Sequence, residues 1–249
     1  MDPAPDLADP GTVRCRCARV TAHDGSRTRH PAPRIETTPG GPYLVHSSPV
    51  RKASMVMSEH GEPMTWRFGD AVQPTDQPIA LCRCGHSQDK PYCDGSHAEA
   101  AWDSADAAQP DEPFEARARR KEGTGYTLLD DTALCVHAGL CGTAKTSVWK
   151  LVKQTDDTEV RGTVIRMVEK CPSGRLANVV DGEIVEPSLG TEVCAVTDGP
   201  LWVTGGIPVT GEAGEQLEVR NRVTLCRCGA SKNKPLCDGT HADIQFEAP

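Results

Sequence analysis

No run of about eighteen apolar residues occurs anywhere in the 249-residue chain, so the sequence offers nothing to span a membrane. Its first residues lack the basic and apolar segments of a secretory signal, which makes a reducing, cytoplasmic setting the expectation and disulfides a poor account of the cysteines. Aromatic residues are scarce, 4% of the total, beside 23 glycines and 20 prolines. A chain so composed builds small, loop-rich units that lean on metal sites as much as on apolar burial. Positive charge is short too. The formal net charge of -8 supplies no field for nucleic acid or anionic lipid, so neither is expected as a partner. A glycine-rich dinucleotide loop after a strand is missing, as is a Ser-His-Asp or Cys-His nucleophile pair with supporting context, and the chain is not read as an enzyme.

What the chain has is cysteine, 12 residues, half of them at one repeated spacing. Cys82-Arg83-Cys84 followed by Cys93-Asp94-Gly95-Ser96-His97 is written again as Cys226-Arg227-Cys228 followed by Cys237-Asp238-Gly239-Thr240-His241, and both copies read C-x-C-x8-C-x3-H. Three soft thiolates and one imidazole suit an iron–sulfur cluster or zinc. Two cysteines one residue apart can share one iron, whereas zinc knuckles more often use C-x2-C to C-x4-C spacing, which tilts the choice toward iron and sulfide. The motif glycine lets the backbone turn at φ values that a side chain resists. The aspartate before it can turn back onto amides of the same loop, and Pro91 and Pro235 fix φ on the approach. Two structural zinc knuckles that only staple loops are the alternative.

These motifs resemble the CDGSH iron–sulfur family, whose pattern is a C-x-C pair, a spacer and Cys-Asp-Gly-(Ser/Thr/Ala)-His. The resemblance implies one [2Fe-2S] cluster per motif, the C-x-C pair on one iron and the third cysteine with the histidine on the other. The implied ligands are Cys82, Cys84, Cys93 and His97 for the first cluster, and Cys226, Cys228, Cys237 and His241 for the second.

The repeat extends upstream of the ligands. Gly41-Pro42-Tyr43-Leu44-Val45 with Pro49-Val50 matches Gly199-Pro200-Leu201-Trp202-Val203 with Pro208-Val209. Alternating stretches follow in each half, Met64 to Phe68 and Gln216 to Arg220, and are expected as β-hairpin strands. The expected fold is therefore α+β and loop-rich. Its two small β-rich units, 40–100 and 196–249, pair as a pseudo-dimer within one chain, rather than as independent beads. Residues 1–39 are expected as a disordered tail in which Cys15 and Cys17 are incidental thiols, and 101–125 as a surface linker with one helical turn.

A third unit is expected over 126–195, inserted between the other two. Cys135 and Cys141 are followed further on by Cys171-Pro172-Ser173-Gly174, and a cysteine before proline is a ferredoxin habit. Val160, Val164, Met167 and Val168 recur at helical spacing, with Asp156 placed to cap and Glu159 three residues on, so a helix runs into Cys171. Val179-Val180 and Ile184-Val185 around Asp181-Gly182 make a hairpin. This piece is similar to the divergent mono-cluster ferredoxin domain, with its C-x5-C pair and later Cys-Pro-Ser-Gly. Cys135, Cys141 and Cys171 are thus candidates for a third cluster. Three cysteines suffice for [3Fe-4S], while [4Fe-4S] needs a fourth ligand, for which Cys194 and His137 are available. The alternative is a domain that has kept the fold without a cluster.

Arg83, Arg227, Lys90 and Lys234 recur at matching places, where positive charge near thiolates would ease the addition of an electron or simply form a soluble rim. His86, and the loop histidines His23, His30, His46 and His60, receive no role. An imidazole in place of a thiolate makes a cluster less negative and favours its reduction. The expectation is an electron-transfer or redox-sensing protein that meets a redox partner protein. A cluster storage or transfer protein that meets an apo-acceptor, and a zinc-stapled interaction module, are the alternatives.

Overall fold

The structure, a computed structural model, describes residues 31–107 and 112–249; most of the tail, with Cys15, Cys17, His23 and His30, lies outside them, as does Pro110 of the linker. Strands form where apolar side chains alternate. The first unit contains β1 (Arg34–Thr37), β2 (Tyr43–His46), β3 (Val50–Met57), β4 (Pro63–Val72) and β5 (Ile79–Leu81). The middle unit runs α1 (Phe114–Arg117), β6 (Arg119–Gly123), β7 (Tyr126–Asp130), α2 (Val148–Leu151), α3 (Thr158–Glu169), β8 (Leu176–Val180) and β9 (Glu183–Val185). The second unit contains β10 (Glu192–Val196), β11 (Leu201–Thr204), β12 (Val209–Thr210), β13 (Arg222–Leu225) and α4 (Thr240–Asp243). Strand β1 falls inside the stretch expected as a disordered tail. Its Ile35 and Thr37 are buried where they pair with Val45 and Tyr43, so order begins earlier than composition suggests.

The two repeat units exchange strands. One sheet has the order β12-β1-β2-β5 and the other β13-β11-β10-β3-β4. In the first, β12 of the second unit lies parallel to β1, pairing Val209 with Ile35; in the second, β3 of the first unit lies parallel to β10, pairing Val50 with Val193. The remaining contacts match one for one, β1·β2 with β10·β11 and β2·β5 with β11·β13, all antiparallel. The pairing is a pseudo-dimer with a pseudo-twofold axis, and its halves are interlocked rather than merely apposed. Near that axis Cys84 and Cys228 form an antiparallel bridge. Gly85 and Gly229, at φ 85° and 79°, sit so close to the opposite strand that a Cβ on Gly85 would lie 2.4 Å from the Cys228 oxygen. The reciprocal Cβ on Gly229 would lie 2.3 Å from the Cys84 oxygen, so only glycine fits at either place.

The symmetry breaks between strand and motif. The first half has the ten-residue β4, but Gln216 to Arg220 forms no strand beyond a single bridge from Gln216 to Thr210. The side chains there alternate between two surfaces instead. Leu217 packs on the core, the Glu218 carboxylate accepts from the Phe114 amide, and Arg220 donates to the Gly174 carbonyl. The expected linker is tied down as well. Phe114 is buried, Arg83 donates to Ser104 O and Asp106, and β6 already belongs to the middle sheet.

In the middle unit the sheet order is β6-β7-β8-β9. Both faces are covered. Tyr126, Leu128 and Leu176 pack with Val148, Val152, Val164 and Val168 of the helices, while Leu129, Ala177 and Val179 join the core of the paired repeat units. The expected hairpin is present, with Asp181 and Gly182 at φ 52° and 87° turning β8 into β9. Helix α3 is capped by Asp157, not Asp156: extended backbone at Asp157 aims its carboxylate at the amides of Glu159 and Val160. At the other end of α3, buried Arg222 of the second repeat unit donates to the carbonyls of Val168 and Glu169 and to that of Leu176. A cation there meets the last carbonyls and the negative end of the helix. No helix among the described residues is long and apolar enough to cross a membrane.

Candidate metal centres

Each repeat unit ends in the same loop. The Cys82 amide donates to the Pro91 carbonyl and the Cys93 amide to Ala80, as Cys226 does to Pro235 and Cys237 to Thr224. The loop closes on its aspartate. Asp94 accepts from the amides of Gln88 and Ser96 at 2.7 and 3.0 Å, and Asp238 from those of Lys232 and Thr240 at 2.9 and 3.0 Å. These amides hold the Asp94 carboxyl well below the usual carboxylate range. Gly95 and Gly239 take φ 91°, which turns the chain so that the histidine faces back over the cysteine.

The donors meet in pairs. Cys82 Sγ lies 3.9 Å from Cys84 Sγ, and Cys93 Sγ lies 3.3 Å from His97 Nδ1. In the second unit the corresponding distances are 3.8 and 3.3 Å. Among the described residues no three of these side chains gather closely enough for one ion, which a tetrahedral zinc site would need. Two pairs per loop fit a two-iron cluster with two ligands on each iron. Nδ1 is the nitrogen beside the thiol in both copies, and His86, which has Ala230 as its counterpart, only donates its amide to Cys84 Sγ at 3.4 Å.

Three of the ligand thiols, Cys84, Cys226 and Cys237, resist ionisation on their own. Burial pushes the Cys84 thiol up to about 11 and the Cys237 thiol higher still. In the Cys226–Cys228 pair a shared hydrogen bond raises Cys226 and lowers Cys228, so Cys228 ionises first. Buried thiols held protonated become thiolates only when a cation replaces their protons, as a metal does. The recurring basic residues are not a surface rim. Arg83, with its ring partners Tyr43 and Trp102, is buried against Asp106 and Glu212. Arg227 donates to the carbonyls of Gly199 and Val196, and burial lowers it to about 10 although the thiols of Cys82 and Cys228 favour its charge. Lys90 and Lys234 donate to the carbonyls of Ser87 and Ser231. All four are pins, and of these Arg227 also feels thiols from both halves.

In the middle unit Cys135, Cys141 and Cys171 line one cavity of about 220 Å³, with His137, Ser173 and Arg175. Burial and the nearby Cys171 and Cys135 push the Cys141 thiol up, with Arg175 opposing. Burial works against the charge of Arg175, yet its hydrogen bond to Asp130 and the neighbouring Cys135 hold it above the ordinary arginine value. The space far exceeds what one water needs, roughly 10–15 Å³, and its walls offer three thiols beside a cation, which suits a sulfide-containing group. His137 Nδ1 is 4.0 Å from Cys135 Sγ. Cys194 is elsewhere: on β10 it is fully buried among Ala53, Val196 and Trp202, so it is packing and not a ligand candidate.

Sequence reasoning missed Gly85 and Gly229, although both follow their C-x-C pair directly and so were visible as part of the repeat. It also missed Tyr43, whose hydroxyl reaches across to the Cys226 and Pro235 carbonyls, 3.1 Å each. Its counterpart is Leu201, so the repeat hid it.

No curated protein matches the chain. Residues 40–98 and 198–242 match the family described as iron-binding zinc finger, CDGSH type, and residues 122–181 match the family described as divergent 4Fe-4S mono-cluster. The chain therefore carries two CDGSH-type iron-binding segments, one on either side of a divergent 4Fe-4S mono-cluster segment, and is an iron–sulfur protein by all three.

Proposed function

We propose that the protein is an electron carrier or redox sensor and not an enzyme. Each CDGSH site holds a [2Fe-2S] cluster on three cysteines and one histidine, and the middle site holds a [3Fe-4S] or [4Fe-4S] cluster on Cys135, Cys141 and Cys171. The observation that carries this reading is the division of each donor set into a thiol–thiol and a thiol–imidazole pair, 3.3 to 3.9 Å apart, with no three-donor convergence. When bound, such clusters take up and return single electrons. The chain's own contribution is to keep water from the C-x-C pairs, which are buried in both halves, and to turn Nδ1 of His97 and His241 toward its cysteine. The neutral imidazole leaves less negative charge than a fourth thiolate would, which favours reduction.

A second reading, transfer of a cluster to an apo-acceptor protein, is supported by the first site alone. Its Cys93 and His97 are partly exposed, while Cys237 and His241 are buried. Counting iron, acid-labile sulfide and zinc on anaerobically purified protein tests the common ground; stoichiometric zinc without sulfide would overturn it. Reversible bleaching by dithionite and air, with no loss of iron to an added apo-ferredoxin, is the expected result for a carrier. Rapid loss to that acceptor would favour transfer instead.

A further inference from the structure

The two CDGSH loops are alike in sequence and backbone but differ in what covers them. Gly95 and Gly239 occupy the same place with φ 91° each, yet a Cβ on Gly95 would meet nothing within 4 Å. A Cβ on Gly239 would lie 2.4 Å from His137 Cδ2, 2.8 Å from the Cys135 carbonyl oxygen and 2.9 Å from His137 Nε2. Gly239 is buried and Gly95 exposed. The segment that covers Gly239 thus holds one of the cysteines of the middle centre. His137 takes a left-handed conformation, φ 56°, uncommon for a residue other than glycine. On its other side Gly239 donates its amide to Cys237 Sγ at 3.5 Å. Cys135 and His137 therefore close in on Gly239 too tightly for a Cβ, two residues from the third cysteine of the second CDGSH site. His137 and His241 also line the same cleft.

From this contact we infer that the middle centre and the second CDGSH centre are a directly coupled electron pair, joined through the packing of Cys135 and His137 on Gly239. At the first CDGSH centre the matching glycine, Gly95, has no such neighbour. This rests on the reading of all three sites as iron–sulfur centres. The step is a single electron leaving the reduced middle centre and entering the oxidised second CDGSH centre, with no bond made or broken and no proton required. The electron enters the molecule from a one-electron reductant, a reduced redox protein in the cell and dithionite in the test. The imidazole in place of a thiolate favours reduction of the second CDGSH centre.

The test is electron paramagnetic resonance of the full, loaded chain reduced with dithionite, beside iron and sulfide counts. Splitting or broadening of the middle centre's signal is expected in the parent and in Cys93→Ser, and its loss is expected in Cys237→Ser. Gly95→Ala and Gly239→Ala then isolate the contact, because both place a side chain at the same φ but only the second meets His137. Electron exchange after rapid one-electron reduction should slow several-fold more in Gly239→Ala than in Gly95→Ala, which carries the same backbone strain without the collision with His137. His137→Ala, which introduces no left-handed side chain at residue 239, should slow it too. A fully loaded protein whose middle signal is unsplit, or is changed equally by Cys93→Ser and Cys237→Ser, overturns the pairing. If Cys171→Ser leaves the iron and sulfide counts unchanged, the middle site holds no cluster, and both that reading and the pair are refuted. If zinc replaces sulfide at the CDGSH sites, the wider reading is refuted on the count alone.

Discussion

Arg222 is the place where one substitution should disturb the joint between the second repeat unit and the middle unit. The residue is 1% exposed, and its guanidinium donates to three carbonyls of the middle unit, those of Val168, Glu169 and Leu176. Its Nε also lies 3.0 Å from Glu186, whose side chain keeps 23% of its exposure and can return to water. In Arg222→Met the Val168 carbonyl keeps the Cys171 amide, so the acceptors most affected are Glu169 and Leu176. At about 1–3 kcal/mol for each of the two buried acceptors deprived of a donor, and with a small loss from the partly exposed ion pair, the cost is about 2–6 kcal/mol, a large share of ordinary domain stability. For a chain of this size that corresponds to a fall of roughly 4–24 °C in melting midpoint. Anaerobic melting followed by far-ultraviolet circular dichroism at one scan rate measures it, since unfolding of a metal-loaded protein is a rate as much as an equilibrium. Arg222→Lys keeps the charge but cannot reach three carbonyls with one fork, and should fall between parent and Arg222→Met. An Arg222→Met protein melting within about 2 °C of the parent would refute the assignment, because less than about 1 kcal/mol would then rest on these bonds.

Other outcomes follow from the same structure. Cys237→Ser should lower the iron and sulfide counts by one cluster and leave the first site loaded, because no donor is shared between the pairs; loss of both would contradict that. Gly85→Ala should perturb the visible circular dichroism of both CDGSH centres, since its Cβ would collide with Cys228 of the other half, and an effect confined to the first centre would count against the crossing. Tyr43→Phe removes the hydroxyl between the Cys226 and Pro235 carbonyls and should cost about 1 kcal/mol, read by chemical denaturation, with the spectral change at the second centre and not the first. Burial pushes the Cys194 thiol up to about 12, so at pH 8 it stays protonated and should escape iodoacetamide in the native protein while reacting once unfolded. Native-state alkylation mapped to Cys194 by mass spectrometry would show that reading to be wrong.

Local rules reached far into this chain where the cause is local. The alternation around Tyr43 to Val45 and the Asp-Gly turn at Asp181-Gly182 decide their own conformation, and the C-x-C-x8-C-x3-H spacing brings the donors into pairs. What stayed hidden depends on neighbours distant in sequence. Nothing near Ile35 announces that Val209 will lie beside it, which is why residues 34–37 read as tail. Arg83 and Arg227 read alike as charge that eases reduction of a cluster or forms a soluble rim, and only the fold reveals that one meets Asp106 and Glu212 and the other meets carbonyls. The alternation of Gln216 to Arg220 was real, but an extended segment whose side chains serve two different surfaces alternates as a strand does. Asp156 and Asp157 are both able to cap a helix, and the choice fell to backbone geometry one residue later than the Glu159 spacing suggested.

The exchange of β3 and β12 between the halves has a consequence for how such a molecule can change. Were the halves separate chains, each sheet would be completed only on meeting a partner, and the folded fraction would fall on dilution. Joined in one chain, they meet at an effective concentration that a dilute solution cannot alter. Identity between the halves is then no longer enforced, and a substitution appears once rather than twice. Tyr43 can reach under the opposite loop while Leu201 does not, β4 can grow to ten residues without a twin, and Gly239 can be covered by a third unit while Gly95 is left bare. A two-chain assembly must offer every surface in duplicate; this chain can give its two ends different neighbours.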